Sequence, residues 1–284
     1  MKRESTFLFF ALPGAIFIFS FSILSIVSLV VFSFVDYNVF SKPEFVGIKN
    51  YINLLSDKYF WACFANSLFI TIAAPLLVIL SLVLALLFRS NYSRNKFFRA
   101  ICFLPSLTPV AIIGIMWQWI FSEDYGILNY LLSLLGISKV KWLSSSPENL
   151  ISVMIATIWR GAGYYMMIFL AALSSIPKEL EEAAQIDGAN KIQIALKVII
   201  PNIWNTVVFV FVISASSAIR LFSEMYVMIP GLPTDNKSLV YYLYAQSFEK
   251  FKLGYGSAIA FVVFLISLIF SFYNFKLLEK KNNF

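Results

Sequence analysis

The chain has 284 residues, 60% of them hydrophobic and only 13% charged, with a mean hydropathy of +0.81; an average soluble domain is about 45–50% apolar and about 25% charged. That excess excludes a soluble globular domain and describes a polytopic membrane protein. There is no histidine, and Cys63 and Cys102 both sit inside apolar runs, so the patterns of a zinc site or a disulfide framework are absent.

Six apolar runs, at about 7–35, 62–88, 98–121, 150–173, 203–223 and 255–277, each reach the ~20 residues that cross a hydrocarbon core. The first follows Lys2 and Arg3, but it outlasts the ~7–15 apolar residues of a secretory signal and reads as an uncleaved anchor. Between the second and third runs, "FRSNYSRNKFFRA" packs four basic residues and no acid. Near the far end of the third, Trp117 and Trp119 have the character of interfacial anchors.

The fourth run carries Arg160 about nine residues from its start, roughly 13 Å along a helix. A charge at that depth must face protein or water. Around it lie Gly161, Gly163, Tyr164 and Tyr165; the fifth run adds Ser214, Ser216 and Ser217, with Arg220 close enough to its end to snorkel. Aromatic faces and neutral hydroxyls suit a sugar, and Arg160, Tyr164, Tyr165, Ser214 and Ser217 are the candidate lining of a translocation pathway, although the same residue types are ordinary in helix packing. In the last run, Gly256 and Ala260 form a small-xxx-small packing seam.

The segment 174–202, between the fourth and fifth runs, contains "IPKELEEAAQIDGANKIQIALKVIIPN", a charged stretch in an apolar chain. Pro177 suits a first helical turn, Glu179, Glu181 and Glu182 lie at the positive end of the helix dipole, and Gly188 suits a left-handed stop. Asn190 then caps a second helical stretch that runs up to Pro201. Leu180, Ala183, Ala184 and Asp187 recur at spacings of three and four, a narrow stripe of small and apolar groups flanked by Glu181 and Glu182. Small residues permit close docking, and carboxylates can meet a basic partner.

Lys and Arg set the orientation. With both termini in the cytoplasm, twelve basic residues fall inside and eight outside. The 174–202 loop is then cytoplasmic, and the net charge of +7 follows from topology without any nucleic acid.

Glu182-Ala183-Ala184, then Gly188, Val198, Ile200 and Pro201, resemble the "EAA" signature of permease subunits in binding-protein-dependent ABC importers, with Val198 and Ile200 where Ile and Leu are usual. "FVGIKNYINLLSDKYFWACFANSLFIT", "LPSLTPVAIIGIMWQWIFSEDYGILNYLL", "FSEMYVM" and "SLVYYLYAQSFEKFKLGYGSAIAFVVFLI" are similar to the carbohydrate-uptake branch, the maltose and glycerol-phosphate type, over nearly the whole chain. The resemblance implies an all-α fold of six transmembrane helices in the type I importer arrangement, in a prokaryotic plasma membrane. It also implies a second, related permease subunit, two cytoplasmic ATPase subunits that bind ATP and Mg, and an extracellular solute-binding protein. Leu180, Glu182, Ala183, Ala184, Asp187, Gly188 and Pro201 become the ATPase-coupling residues. One departure is "IPGLPTDNKS", where the family often has Gly-Gly-Pro.

The sequence independently requires such partners. It has no GxxxxGK[ST] phosphate loop, so it is not the ATPase and brings no cofactor of its own. Its outer loops, the longest about 30 residues, are too short for a capture domain. A secondary transporter would carry buried carboxylates, whereas the acids here, such as Asp36 and Glu224, fall outside the runs or at their edges. An intramembrane enzyme lacks a catalytic constellation. A permease for a non-sugar solute is the alternative.

Overall fold

The computed structural model describes residues 10, 12–89, 93–231 and 233–281. Lys2, Arg3 and the expected start of the first span lie outside them. The chain divides into two units, Met1–Trp61 with Tyr242–Ile266, and Ala62–Tyr241 with Ser267–Phe284.

The first unit begins with α1 (Leu12–Ser33), which contains a π-helical turn at Phe19–Ile23. A two-residue antiparallel pair follows, β1 (Val35–Asp36) against β2 (Glu44–Phe45), with Val35 opposite Phe45. These are the described strands in an otherwise helical chain. Helix α2 (Lys49–Ser56) is clipped to the end of α1. Asn50 Nδ2 donates to the carbonyls of Ser33 (2.9 Å) and Val35 (3.0 Å), and the Tyr51 hydroxyl donates to Ser33 Oγ at 2.6 Å. Asp57 accepts hydrogen bonds from the hydroxyls of Tyr242 and Tyr255, the latter at 2.6 Å, and from the amide of Tyr59 at 2.9 Å.

Helix α3 (Lys58–Phe88) starts in the first unit and forms the spine of the second. Its second half packs along α7 (Glu148–Ser174), which also receives α4 (Ser93–Leu107) and, more lightly, α10 (Trp204–Ile219). Gly163 is where α7 meets α4: a Cβ there would come within 1.8 Å of the Cys102 carbonyl oxygen, so only hydrogen fits. The small residue that sequence reading placed beside a pathway is thus a helix-crossing point. The core joins Leu77, Val78, Leu82 and Ala85 of α3 to Tyr165, Met166, Phe169 and Leu173 of α7, and it reaches Ile176, Ile194, Ile199 and Ile203 beyond.

Among the described residues four helices, α1, α3, α7 and Leu253–Phe272 of α13 (Leu253–Lys281), are long and apolar enough to cross a membrane, and two bent pairs bring the number to six if each pair is one span. The third run is therefore not one rod. Helix α5 (Val110–Ile120) turns 100° from the end of α4. Pro109 lacks an N–H and disfavours helical geometry at Thr108, so α4 stops at Leu107 and α5 begins afresh. Likewise α9 (Lys191–Asn202), with a π-helical stretch at Ala195–Ile199, turns 76° into α10. Between these lie α6 (Ile127–Leu134) and α8 (Lys178–Ile186); α11 (Ser223–Met228) and α12 (Leu239–Tyr244) follow α10.

The unusual loop between α11 and α12 is pinned within the second unit. Asn66 Nδ2 donates to the carbonyls of Asp235 (2.7 Å) and Lys237 (3.0 Å), Asn149 Nδ2 to that of Asn236 (3.2 Å), and Leu239 N–H to Ser67 Oγ (2.8 Å).

Candidate functional site

A cavity of about 450 Å³ with a mixed polar and apolar lining opens between α7, α10 and the start of α11. Arg160 lies at the middle of α7, and its Nη2 donates to Glu224 Oε1 at 2.7 Å. Glu224 is only 3% exposed and stands in the first turn of α11, where the helix dipole favours a carboxylate. Arg160 Nε is buried with no hydrogen-bond partner, so the guanidinium uses only part of its donor set. Tyr164, Tyr165, Ser214, Ser217 and Arg220 line the same space. All five candidate pathway residues therefore meet in one cavity.

Sequence reading placed Glu224 at a span edge; the structure puts it inside, as the counter-ion of Arg160. The missed signal is the spacing, because a charge at the end of span five can fold back on α11 to reach a charge at mid-depth in span four. Arg220 is exposed at the C-terminal end of α10, with Nε donating to the Ser216 carbonyl at 3.1 Å, and it also borders the cavity. Trp117 also departs from expectation. It stacks on Phe121 (5.0 Å) and meets Trp159 edge-on (5.7 Å), whereas Trp119 stays 69% exposed.

The second constellation is the hairpin of α8 and α9. Gly188 takes φ +80°; its N–H donates to Gln185 O and that of Ala189 to Ala184 O, both at 3.0 Å, the paired bonds of a Schellman stop. Asn190 Oδ1 accepts from Gln193 N (2.9 Å) while Gln193 Oε1 accepts from Asn190 N (2.8 Å), a capping box that starts α9. Ile176, Ile194 and Ile199 anchor both ends of the hairpin in the core, with Ala184, Ala189 and Val198 packed against it. Leu180, Glu182, Ala183 and Asp187 face outward, joined by Ile186 at 87% exposure; Pro201 is exposed at the end of α9. The expected stripe is split, since Ala184 turns inward. Glu181 is likewise taken, gripped in a fork by Arg89 at 3.0 and 2.5 Å, and only Glu182 remains outward of the two flanking carboxylates. Nearby, Arg99 donates to the Phe88 carbonyl through Nε at 2.7 Å, a cation on the negative end of α3. Within the basic cluster, Arg89 thus supports the hairpin and Arg99 caps α3.

Residues 77–281 match the family described as binding-protein-dependent transport system inner membrane component. The chain belongs to this family. The permease is 31% identical to a probable ABC transporter permease, YurN, of Bacillus subtilis, over 94% of each chain. It is 33% identical to the arabinooligosaccharides transport system permease AraP of Halalkalibacterium halodurans, over 90% of this chain and 83% of the relative. Among solved structures, a bacterial ABC transporter involved in the import of the acidic polysaccharide alginate superposes with a TM-score of 0.86 at 21% identity, covering 98% of this chain and 96% of that one, which establishes the shared importer fold. The permease is a multi-pass inner-membrane transport subunit rather than an enzyme, and the family name makes its partner a solute-binding protein. Among the described residues no three His, Cys, Asp or Glu side chains gather as a metal site.

Proposed function

We propose that the permease forms half of the pathway of an ATP-driven sugar importer, in which solute moves past the Arg160 cavity and α8 docks on a separate ATPase. One observation carries this reading: a short helix whose outer face combines Leu180 and Ile186 with Ala183, Glu182 and Asp187, stopped at both ends, is fastened to the same core as the cavity-bearing α7. A body docked to α8 then acts on the cavity through packed side chains rather than through a flexible linker. Leu180, Glu182, Ala183 and Asp187 supply the docking face, Ala184 seats the helix, and Gly188 and Pro201 set its angle. ATP and Mg belong to two ATPase subunits. Nucleotide binding favours one orientation of the pathway only through differential affinity for the two states.

The remaining partners are a second, related permease, forming a heterodimer, and an extracellular solute-binding protein, with both termini of this chain in the cytoplasm, as the Lys and Arg bias supports. A sugar is favoured by the hydroxyl and tyrosine lining and by relatives named for arabinooligosaccharide and trehalose/maltose transport. The test uses the assembled importer in proteoliposomes. Ala183→Cys is expected to cross-link to an ATPase subunit, and Glu182→Lys to insert normally while losing most ATP-dependent uptake. Absence of any cross-link in every nucleotide state, with uptake intact in Glu182→Lys, removes the docking role.

A further inference from the structure

Helix α6 follows α5 and is seated on the protein by one buried side chain. Asn129 Nδ2 donates to the carbonyls of Glu123 (3.1 Å) and Val140 (3.0 Å), and its Oδ1 accepts from Val140 N (3.1 Å) and Trp142 Nε1 (3.0 Å). With the amide fully engaged, the rotation of the helix is fixed and its opposite face turns away from the chain. That face carries Tyr130, Leu131, Leu134 and Leu135, the last two 66% and 75% exposed, with Tyr125 beside it. No charged residue occurs from Tyr125 to Ile137; Glu123 and Asp124 precede the stretch, and Lys139 and Lys141 follow it. Contiguous exposed apolar surface of this kind marks a contact.

We propose that α6 is an interfacial membrane anchor, lying in the plane of the lipid–water boundary with Leu131, Leu134 and Leu135 among the acyl chains. Tyr125 and Tyr130 then sit at headgroup level; Lys139 Nζ is paired with Asp124 Oδ1 at 3.4 Å on the exposed rim, and Lys141 faces lipid phosphates. Continuity identifies the occupant as lipid. Helix α5 is half of a bent pair that is together long and apolar enough for a membrane span, and it exposes Ile112, Ile115, Met116 and Trp119 at helical spacing. Trp119 and Tyr125 border the same shallow cleft, and Gly126 N–H bonds to the Ser122 carbonyl at 3.1 Å, so the apolar flank of α5 continues onto α6. Eight residues are far too few to cross the bilayer, which leaves the boundary plane.

The anchor has work to do. Helix α5 has 11 residues, about 16 Å, roughly half the ~30 Å hydrocarbon core, so its own length does not set its depth. A helix held at the boundary does. This matters because α5 packs on α11, which holds Glu224.

The leaflet involved, though not the lipid contact, rests on the orientation proposed above. The test is the assembled importer in lipid bilayers, with Cys63 and Cys102 replaced by Ala and a nitroxide label at Leu131→Cys, Leu134→Cys or the exposed control Ser146→Cys. Collision rates with oxygen are expected to exceed those with a water-soluble nickel chelate several-fold at 131 and 134, and the order to reverse at 146. Nickel prevailing at 131 and 134 would overturn the proposal, as would exclusion of both reagents, the mark of a covering protein. In sealed vesicles sorted to right-side-out, an impermeant thiol reagent that fails to reach Ser146→Cys corrects the orientation while leaving the lipid contact standing.

Discussion

Arg160 and Glu224 illustrate how far a single residue can be read from sequence. The intramembrane arginine was legible as a charge that must be compensated, because desolvation leaves it no other choice. Its partner was not legible, because Glu224 reaches it only after α10 ends, the chain turns at Arg220 and α11 folds back. Removing Arg160 strands a buried carboxylate, a loss of about 3–5 kcal/mol, whereas Arg160 keeps 31% of its side chain exposed and suffers less when Glu224 is removed, and removing both can be nearly neutral. Arg160→Met is therefore expected to lower thermal stability of the detergent-solubilised importer markedly, Glu224→Leu to lower it less, and the double variant to recover most of the larger loss. Uptake separates structure from function: a recovered fold that stays inactive assigns the pair to solute handling, and recovered uptake makes it a structural tie. A double variant as unstable as the worse single variant contradicts the pairing.

At the scale of elements, local chemistry was the readable part. The stop at Gly188 and the start at Asn190 follow from backbone preferences that act within a few residues, and the structure has both. The 100° break at Pro109 was in principle visible in Thr108-Pro109, yet the apolar run continues through it, so hydropathy alone joins α4 to α5. The π-helical stretch at Ala195–Ile199 had no such signal; it accompanies packing of Ile194 and Ile199 into the core. The requirement at Gly188 can be isolated, because a Cβ there would meet no neighbour within 4 Å and only the positive φ excludes other residues. Gly188→Val is expected to cost about 1–2 kcal/mol and to misdirect α8, reducing ATP-dependent uptake strongly. Gly188→Asn, which tolerates left-handed geometry, should retain most of it. Equal damage from the two substitutions would show that space, not backbone conformation, is what the position demands.

For the whole molecule, composition announced membrane residence and the spaced EAA-type residues announced the family, but the division into two units was hidden. It depends on contacts distant in sequence, such as Asp57 with Tyr242 and Tyr255. Both units bury apolar side chains, Leu54, Phe60 and Ile259 in the first among them, and the first adds polar clips among which Asp57 is central. Burial alone pushes the Asp57 carboxyl up, but hydrogen bonds from Tyr242, Tyr255 and the amides of Tyr59 and Phe60 outweigh it and hold the group below its ordinary 3.8. A folded-state value lower than the unfolded one means the carboxylate contributes its stability above the ordinary value, and loses it as pH falls through the depressed one. Acidification below about pH 4 is thus expected to loosen the first unit before the second. Hydrogen exchange, corrected for its intrinsic pH dependence, should lose protection around residues 50–60 and 242–256 while residues 77–85 and 165–173 stay protected. Asp57→Asn should start less protected in the first unit at neutral pH and lack this acid-dependent step. If both units open together at the same pH, and the variant follows the unmodified profile, the carboxylate is not what closes the first unit.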